Sequence, residues 1–173
     1  MHSNVVYFAH GKESGPWGTK IVRLAKIAKQ KGCHVESPDY SSTMDPDKRV
    51  KQLLSLKPQA KKNLILVGSS MGGYVSTVAS AVLDPSGLFL LAPAFYRKGY
   101  AKQTPRPQAQ TTWIVHGWDD DVVPIEHSIK FAKKYQARLH ILKGDHRLLE
   151  VLPEIENLFE VFLDSILNHC CLN

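Results

Sequence analysis

Short runs of β-branched and aliphatic residues alternate along this chain with segments whose apolar residues recur at helical spacing. The runs predict strands at Val5–Ala9, Cys33–Ser37, Leu64–Val67, Leu88–Leu91, Thr112–His116 and Leu139–Leu142. Strands that read as continuous apolar runs are typical of parallel sheets covered by helices on both faces. The pattern therefore predicts an α/β fold with a mostly parallel sheet of about six strands.

Segments with helical spacing or helix-start signals lie between and after these strands. Helices are predicted at Trp17–Lys31, Asp47–Leu56 and Met71–Val82, after Pro124 and after Pro153. The last segment carries a core-facing apolar stripe formed by Ile155, Leu158, Phe159, Phe162 and Ile166. Gly32 is predicted to end the first helix, and Asp45 followed by Pro46 to begin the second.

Length and composition favour one soluble domain. A chain of 173 residues with 43% hydrophobic and 22% charged residues suits a single domain over residues 1–173. Its apolar runs, such as Leu88–Ala92, are far shorter than the roughly 18 residues that span a bilayer. The residues before the first predicted strand do not show the pattern of a secretory leader, so we expect none. We therefore expect a cytoplasmic protein without a membrane partner.

The net charge of +6 raises the question of a nucleic-acid partner. Basic residues recur every three positions along the first predicted helix, at Lys20, Arg23, Lys26 and Lys29. This spacing is typical of a solvated face, and no nucleic-acid-binding motif is visible, so we expect no such partner. The cysteines Cys33, Cys170 and Cys171 have no metal-ligand spacing and are odd in number. Neither a disulfide framework nor a metal site is expected.

The segment Gly68-Ser69-Ser70-Met71-Gly72 fits the pattern G-x-S-x-G and lies between a predicted strand and a predicted helix. A sharp strand-to-helix turn raises the middle side chain above the sheet, and the flanking glycines avoid collisions with neighbouring backbone. Ser70 is therefore a candidate nucleophile at the positive end of a helix dipole. The alternative is a glycine-rich turn that only packs tightly.

A serine hydroxyl becomes nucleophilic at neutral pH beside a base that a carboxylate orients. The fifth predicted strand is followed by Gly117-Trp118-Asp119-Asp120-Asp121, and the sixth by Lys143-Gly144-Asp145-His146. Serine, acid and histidine, each after a later strand, is the order found in hydrolases of this architecture. We therefore expect Ser70, Asp120 and His146 to converge.

Other residues compete for two of these roles. Charge alone does not separate Asp120 from Asp119 and Asp121, which can instead cap the turn or the next helix. Three further histidines lie near the same region: His116, His127 and His140. His140 falls inside a predicted strand, His116 ends a predicted strand, and His127 lies at the start of a predicted helix. These positions are typical of packing or turn residues.

The reaction also needs hydrogen-bond donors for the oxyanion of a tetrahedral intermediate. One is the backbone N–H of Met71, directly after the candidate nucleophile. In a sheet of order 2-1-3-4-5-6, the loop after the first strand is adjacent to the Ser70 turn. The backbone N–H of Lys12 in that loop is the second candidate donor. The alternative is that His10-Gly11 is only a tight exit from a buried strand.

Four motifs together make the chain similar to a known family. They are His10-Gly11, Gly68-Ser69-Ser70-Met71-Gly72-Gly73, His116-Gly117-x-x-Asp120-x-x-Val123-Pro124 and Gly144-Asp145-His146. Over nearly its whole length the chain resembles the small α/β-hydrolases without a lid, especially the compact bacterial esterases of the YqiA kind. The resemblance implies a minimal α/β-hydrolase fold with helices on both faces and no cap domain. It also implies a triad of Ser70, Asp120 and His146 that hydrolyses carboxylic esters or thioesters through an acyl-enzyme.

The absence of a cap bears on the substrate. Without a cover, a long acyl chain leaves its apolar surface in water, so short or medium acyl groups are expected. The long connection over residues 92–110 and the loop after the fifth strand supply candidate substrate-binding aromatics: Phe95, Tyr96 and Trp118. The alternative for each is a place in the core or a scattered surface position.

These patterns predict a serine esterase acting on a small-molecule ester without a metal or cofactor. A thioesterase acting on acyl-CoA or on an acylated protein uses the same residues, and the sequence does not separate the two. A non-catalytic binding module on the same fold is the alternative from another class. The sequence leaves the oligomeric state undetermined.

Overall fold

One parallel sheet organises the part of the chain that the structure, a computed structural model, describes, namely residues 1–168. Its strands are β1 (Asn4–Ala9), β2 (His34–Glu36), β3 (Asn63–Ser69), β4 (Gly87–Leu91), β5 (Thr111–Gly117) and β6 (Arg138–Leu142). Every neighbouring pair is parallel, and the spatial order is β2-β1-β3-β4-β5-β6. The predicted fold class and strand order are therefore confirmed.

Helices cover both faces of the sheet. They are α1 (Thr19–Gln30), α2 (Pro46–Ser55), α3 (Met71–Leu83), α4 (Ile125–Tyr135) and α5 (Leu152–Leu167). Helices α1 and α5 contact each other and share one core cluster with Val6 and Phe8 of β1. Val5, which points to the opposite face of the same strand, packs in a cluster with α4. Helices α2 and α3 form a third cluster with Ala9 at the end of β1.

The signals predicted at the end of α1 and at the start of α2 are present in the structure. Gly32 has a φ of +78° just after α1, the left-handed conformation that favours glycine. The Asp45 side chain accepts hydrogen bonds from two backbone N–H groups in the first turn of α2, and Pro46 is the first residue of that helix. Helix α5 begins at Leu152, whereas its start was predicted after Pro153. Proline fits within the first turn of a helix because the N–H group that it lacks would have no intrahelical partner there.

The strand order brings the loops with the candidate residues to one edge of the sheet. Ala9 of β1 lies opposite Gly68 of β3, and Gly117 of β5 lies opposite Leu142 of β6. Because all strands are parallel, the loops that follow them open on the same edge. The reversal of strand order at β1 and β3 creates the crevice in which open α/β sheets bind ligands.

The long connection between β4 and β5 is attached to two helices near this edge. Asp47 in the first turn of α2 accepts hydrogen bonds from the Tyr74 hydroxyl (2.7 Å) and from the N–H of Ala101 (3.0 Å). The Tyr74 oxygen in turn accepts the N–H of Lys102 at 3.0 Å. Residues 92–110 therefore follow a path that α2 and α3 fix.

Two further expectations concern the cysteines and the membrane. Cys33 is buried and free, whereas Cys170 and Cys171 lie outside the described residues. Within residues 1–168, no helix combines the length and the apolar character that crossing a bilayer requires.

Candidate active site

Ser70 lies in the turn between the end of β3 and the start of α3. Its φ of 54° and ψ of −117° are unusual for a residue with a side chain. Its N–H donates to the carbonyl oxygen of Leu91 at 2.8 Å, and its own carbonyl accepts the N–H groups of Gly73 and Ala94, both at 2.9 Å. These bonds hold the strained turn in place, and the serine stays partly exposed at the edge of the sheet.

Two glycines allow this turn to pack against neighbouring backbone. A Cβ atom on Gly72 would lie 1.9 Å from the carbonyl oxygen of Ala9, and one on Gly68 would lie 2.3 Å from that of Gly72. Both distances are far below van der Waals contact. The first turn of α3 therefore sits directly against the end of β1, which places Ser70 beside the loop that follows β1.

His146 connects the predicted nucleophile to the predicted acid. Its Nε2 lies 3.0 Å from Ser70 Oγ, and its Nδ1 lies 2.7 Å from Asp120 Oδ2. Because an ionised carboxylate only accepts, Nδ1–H donates to Asp120. When the ring is neutral, Nε2 is then unprotonated and accepts a hydrogen bond from the Ser70 hydroxyl. The structure thus brings Ser70, His146 and Asp120 into one hydrogen-bonded chain.

The Asp120 carboxyl group has no exposed surface, and four donors surround it. Its Oδ1 accepts the N–H groups of Val122 (2.9 Å) and Val123 (2.8 Å), while His146 and His116 face its Oδ2. Burial raises the pKa of Asp120, but these hydrogen bonds outweigh burial and hold the pKa well below its usual range. Asp120 is therefore a carboxylate, whereas Asp119 and Asp121 are exposed.

His116 is a residue whose contact with the site the sequence reasoning missed, because it was assigned to packing or to the turn. Its ring is fully buried, and its Nε2 lies 3.0 Å from both Val123 O and Asp120 Oδ2. Both oxygens only accept, so Nε2 carries a proton, and the Ser128 hydroxyl oxygen lies 2.7 Å from Nδ1. A second imidazole therefore faces the carboxylate that holds His146. The spacing His116-Gly117-x-x-Asp120 was the available signal.

The loop after β1 lies against the Ser70 turn, as the strand order implies. A Cβ atom on Gly11 would lie 3.6 Å from the Cβ atom of Ser70. Lys12 follows with an exposed side chain, and Met71 on the other side of Ser70 has a buried one. The backbone N–H groups of Lys12 and Met71 thus belong to segments that meet at the serine.

The sequence of the site region matches a known family. Residues 4–99, more than half of the chain, match the sequence profile of the uncharacterised protein family UPF0227. The chain belongs to UPF0227. The matched range of this UPF0227 protein contains the β1 loop and the Ser70 turn, and it ends before the loops that carry Asp120 and His146. No curated protein matches the chain.

Solved structures relate the UPF0227 protein to α/β-hydrolases. A proposed hydrolase of the alpha/beta superfamily from Xanthomonas campestris pv. campestris is 30% identical, with a TM-score of 0.84 over 94% of this chain and 99% of that chain. Est1E from Butyrivibrio proteoclasticus is 18% identical, with a TM-score of 0.84 over 96% and 89%. An α/β serine hydrolase without a lid from Xanthomonas campestris is 18% identical, with a TM-score of 0.66 over 92% and 81%. The UPF0227 protein therefore has the α/β-hydrolase fold without a cap domain.

The predicted substrate-binding aromatics of the UPF0227 protein lie in three different environments. Phe95 has no exposed surface, and its ring centroid lies 4.2 Å from that of Phe131, so it occupies the core position that was the alternative to substrate binding. Tyr96 is partly buried, edge-on to His127 at 5.4 Å. Trp118 is 63% exposed, on the loop that carries Asp120. Trp118 is thus the most accessible of the three.

In this UPF0227 protein Lys20 is not fully solvated, although the regular spacing of basic residues along the first helix predicted a solvated position. It lies in the first turn of α1 and is only partly exposed. Burial lowers the pKa of Lys20 to about 8, against the opposing attraction of the Asp145 and Asp120 carboxylates. The ammonium group therefore belongs to the surroundings of Asp120, which a helical charge pattern alone does not indicate.

Proposed function

We propose that this protein is a serine hydrolase that cleaves carboxylic esters of short or medium acyl chains through an acyl-enzyme. One observation supports this function above all: the Ser70 hydroxyl, the His146 imidazole and the buried Asp120 carboxylate form a continuous hydrogen-bonded chain. An imidazole held in this tautomer is ready to accept the serine proton. The hydrolase neighbours of the fold support the same class of reaction.

In the first half-reaction, Ser70 Oγ forms a bond to the acyl carbon while its proton moves to His146 Nε2. The resulting oxyanion accepts hydrogen bonds from the N–H groups of Met71 and Lys12, and Asp120 stabilises the imidazolium. The bond between the acyl carbon and the alcohol oxygen then breaks, and the alcohol takes the proton from Nε2. In the second half-reaction water attacks the acyl-enzyme, His146 accepts its proton, and Ser70 regains a proton as the acid leaves.

The proposed acyl size follows from the open edge of the sheet. The fold has no cap domain, so an acyl chain bound at Ser70 finds apolar contact only on the neighbouring loops. Trp118 offers an exposed aromatic surface on one of them. Burying a CH₂ group stabilises the bound acyl chain by about 0.8 kcal/mol. The part of an acyl chain that extends beyond these contacts stays in water, so longer acyl chains gain no binding energy.

Rates on p-nitrophenyl esters from acetate to palmitate, measured beside acyl-CoA substrates of the same chain lengths, test this function. We expect kcat/KM to reach its maximum with short or medium esters and not to rise further for long ones. A feruloyl ester belongs in the panel because a structure of Est1E contains ferulic acid. Higher kcat/KM for acyl-CoA would make the protein a thioesterase. No turnover of either class, together with no fluorophosphonate adduct on Ser70, would contradict a hydrolase and favour a binding module.

Asp120→Asn is expected to lower kcat by roughly 10³- to 10⁴-fold. Two backbone N–H groups already donate to Oδ1, so the asparagine would keep its carbonyl oxygen there and turn its NH₂ group toward His146. Nδ1 of His146 would then have to accept a hydrogen bond from this NH₂ group. Nε2 of His146 would carry the ring proton and could no longer take the proton of Ser70. Steady-state kinetics measure the effect. Asp119→Asn and Asp121→Asn are the matched controls, and a larger loss in either of them would reassign the acid.

A further inference from the structure

Arg49 is a fully buried arginine on α2, directly beneath the loop that follows β1. Its guanidinium donates to a set of backbone carbonyl oxygens: Thr43 (2.8 Å), Gly11 (3.0 Å), Lys12 (3.3 Å) and His10 (3.4 Å). Met44 Sδ lies 3.9 Å away. Within residues 1–168, no carboxylate comes within salt-bridge distance of this group. The three carbonyls of the β1 loop are therefore organised by one buried cation.

Packing alone does not account for a cation at this position. Burying a charge without a counter-ion is costly, and an apolar side chain of similar volume often stabilises a core equally well. Burial lowers the pKa of Arg49, which reflects this cost, although a guanidinium stays protonated. The hydrogen bonds to the β1 loop are what the arginine supplies and an apolar residue cannot.

These bonds determine the direction of one particular N–H group. The Gly11 carbonyl oxygen accepts from Arg49 Nη1 at 3.0 Å and from His10 Nδ1–H at 2.8 Å. The peptide bonds within residues 1–168 include no cis bond, and in a trans peptide the C=O and the N–H point in opposite directions. The N–H of Lys12 shares its peptide with the Gly11 carbonyl. It therefore points away from Arg49, in a loop where a Cβ atom on Gly11 would lie 3.6 Å from the Cβ atom of Ser70.

We propose that Arg49 is a positioning residue that aims the Lys12 N–H at the oxyanion formed on Ser70. This inference rests on the proposed function. The cation also polarises the Gly11–Lys12 peptide through the carbonyl oxygen, which strengthens its N–H as a donor. Because the oxyanion develops only after attack, Arg49 stabilises the transition state and not the bound substrate.

Arg49→Lys tests this role, with Leu53→Ala as the control. Lysine keeps the charge, but its single ammonium group does not hold the loop carbonyls in the planar geometry of a guanidinium. We expect kcat to fall about 10- to 100-fold with KM within about twofold of the wild type. Leu53 is buried on the same helix, so Leu53→Ala should lower the melting temperature while kcat stays near the wild-type value. A folded Arg49→Lys protein with wild-type kcat, or equal losses of kcat in both variants, would overturn the positioning role.

A measurement on the wild-type protein covers the case in which Arg49→Lys does not fold. An alkyl boronic acid forms a tetrahedral borate with Ser70 Oγ as the serine proton passes to His146, and this borate carries the negative charge of the intermediate. By NMR, we expect the Lys12 amide proton and the Arg49 guanidinium protons to move downfield together on adduct formation. An adduct that shifts neither set overturns the role of Arg49 and leaves the hydrolase intact. No borate adduct and no ester turnover would overturn the proposed function itself.

Discussion

Ser70→Ala and His146→Ala are each expected to lower kcat/KM for the best ester by about 10⁴- to 10⁶-fold. Alanine at position 70 removes the atom that forms the acyl-enzyme. Alanine at position 146 leaves the Ser70 hydroxyl without the base that lies 3.0 Å from it. Both side chains are partly exposed, so their removal should leave the circular dichroism spectrum unchanged. Progress curves with a chromogenic ester at high enzyme concentration measure the residual rate.

Two comparisons make this result specific to the hydrogen-bonded chain. The double variant should lose about as much activity as either single variant, because the two groups act in the same step and their effects do not add. His34→Ala provides a histidine control on the edge strand β2, where the ring stacks on His2 away from the site. Turnover within about tenfold of wild type in a folded Ser70→Ala protein would mean that another group is the nucleophile.

The fold was predictable because its signals are local. Each strand is an apolar run of a few residues, and each helix carries its own start and stop signals, such as Asp45 before α2 and Gly32 after α1. In a parallel sheet these local elements leave few arrangements open, because βαβ connections are right-handed and loops stay short. The strand order 2-1-3-4-5-6 itself came from the known order of doubly wound sheets and not from local signals, and the structure has it.

The candidate site was only partly predictable, for the same reason. Ser70 stands in a motif whose geometry is local, and Asp120 and His146 follow strands whose ends must meet at one edge. The contacts of Arg49 and the position of Lys20 depend instead on loops far apart in sequence. Arg49 reads as an ordinary helix residue, yet it is buried against carbonyls about forty positions earlier. Phe95 is the opposite case. It lies on a long loop, where an aromatic side chain was a candidate for substrate binding, but its ring is buried and stacks on Phe131 of α4.

Gly72→Ala is expected to have the largest effect on stability. The added Cβ atom would lie 1.9 Å from the Ala9 carbonyl oxygen and 2.8 Å from that of His10. Both neighbours are backbone atoms, so no change of rotamer relieves the overlap, and α3 must move away from β1. We expect a loss of at least about 3 kcal/mol in the free energy of unfolding, or failure to fold. Urea denaturation measures it, with Gly15→Ala as control because a Cβ there meets no atom within 4 Å.

The same substitution should also affect chemistry in whatever fraction of the protein folds. Gly72 keeps the Ser70 turn in contact with the end of β1, and the proposed oxyanion donors, Met71 and Lys12, lie on opposite sides of that contact. Moving α3 outward widens the gap between the two N–H groups, and hydrogen bonds weaken steeply when their geometry is lost. We therefore expect folded Gly72→Ala protein to lose kcat beyond its loss of folded fraction, whereas Gly15→Ala keeps both. A Gly72→Ala protein with wild-type stability and wild-type kcat would contradict the close approach of α3 to β1 on which the geometry of the site depends.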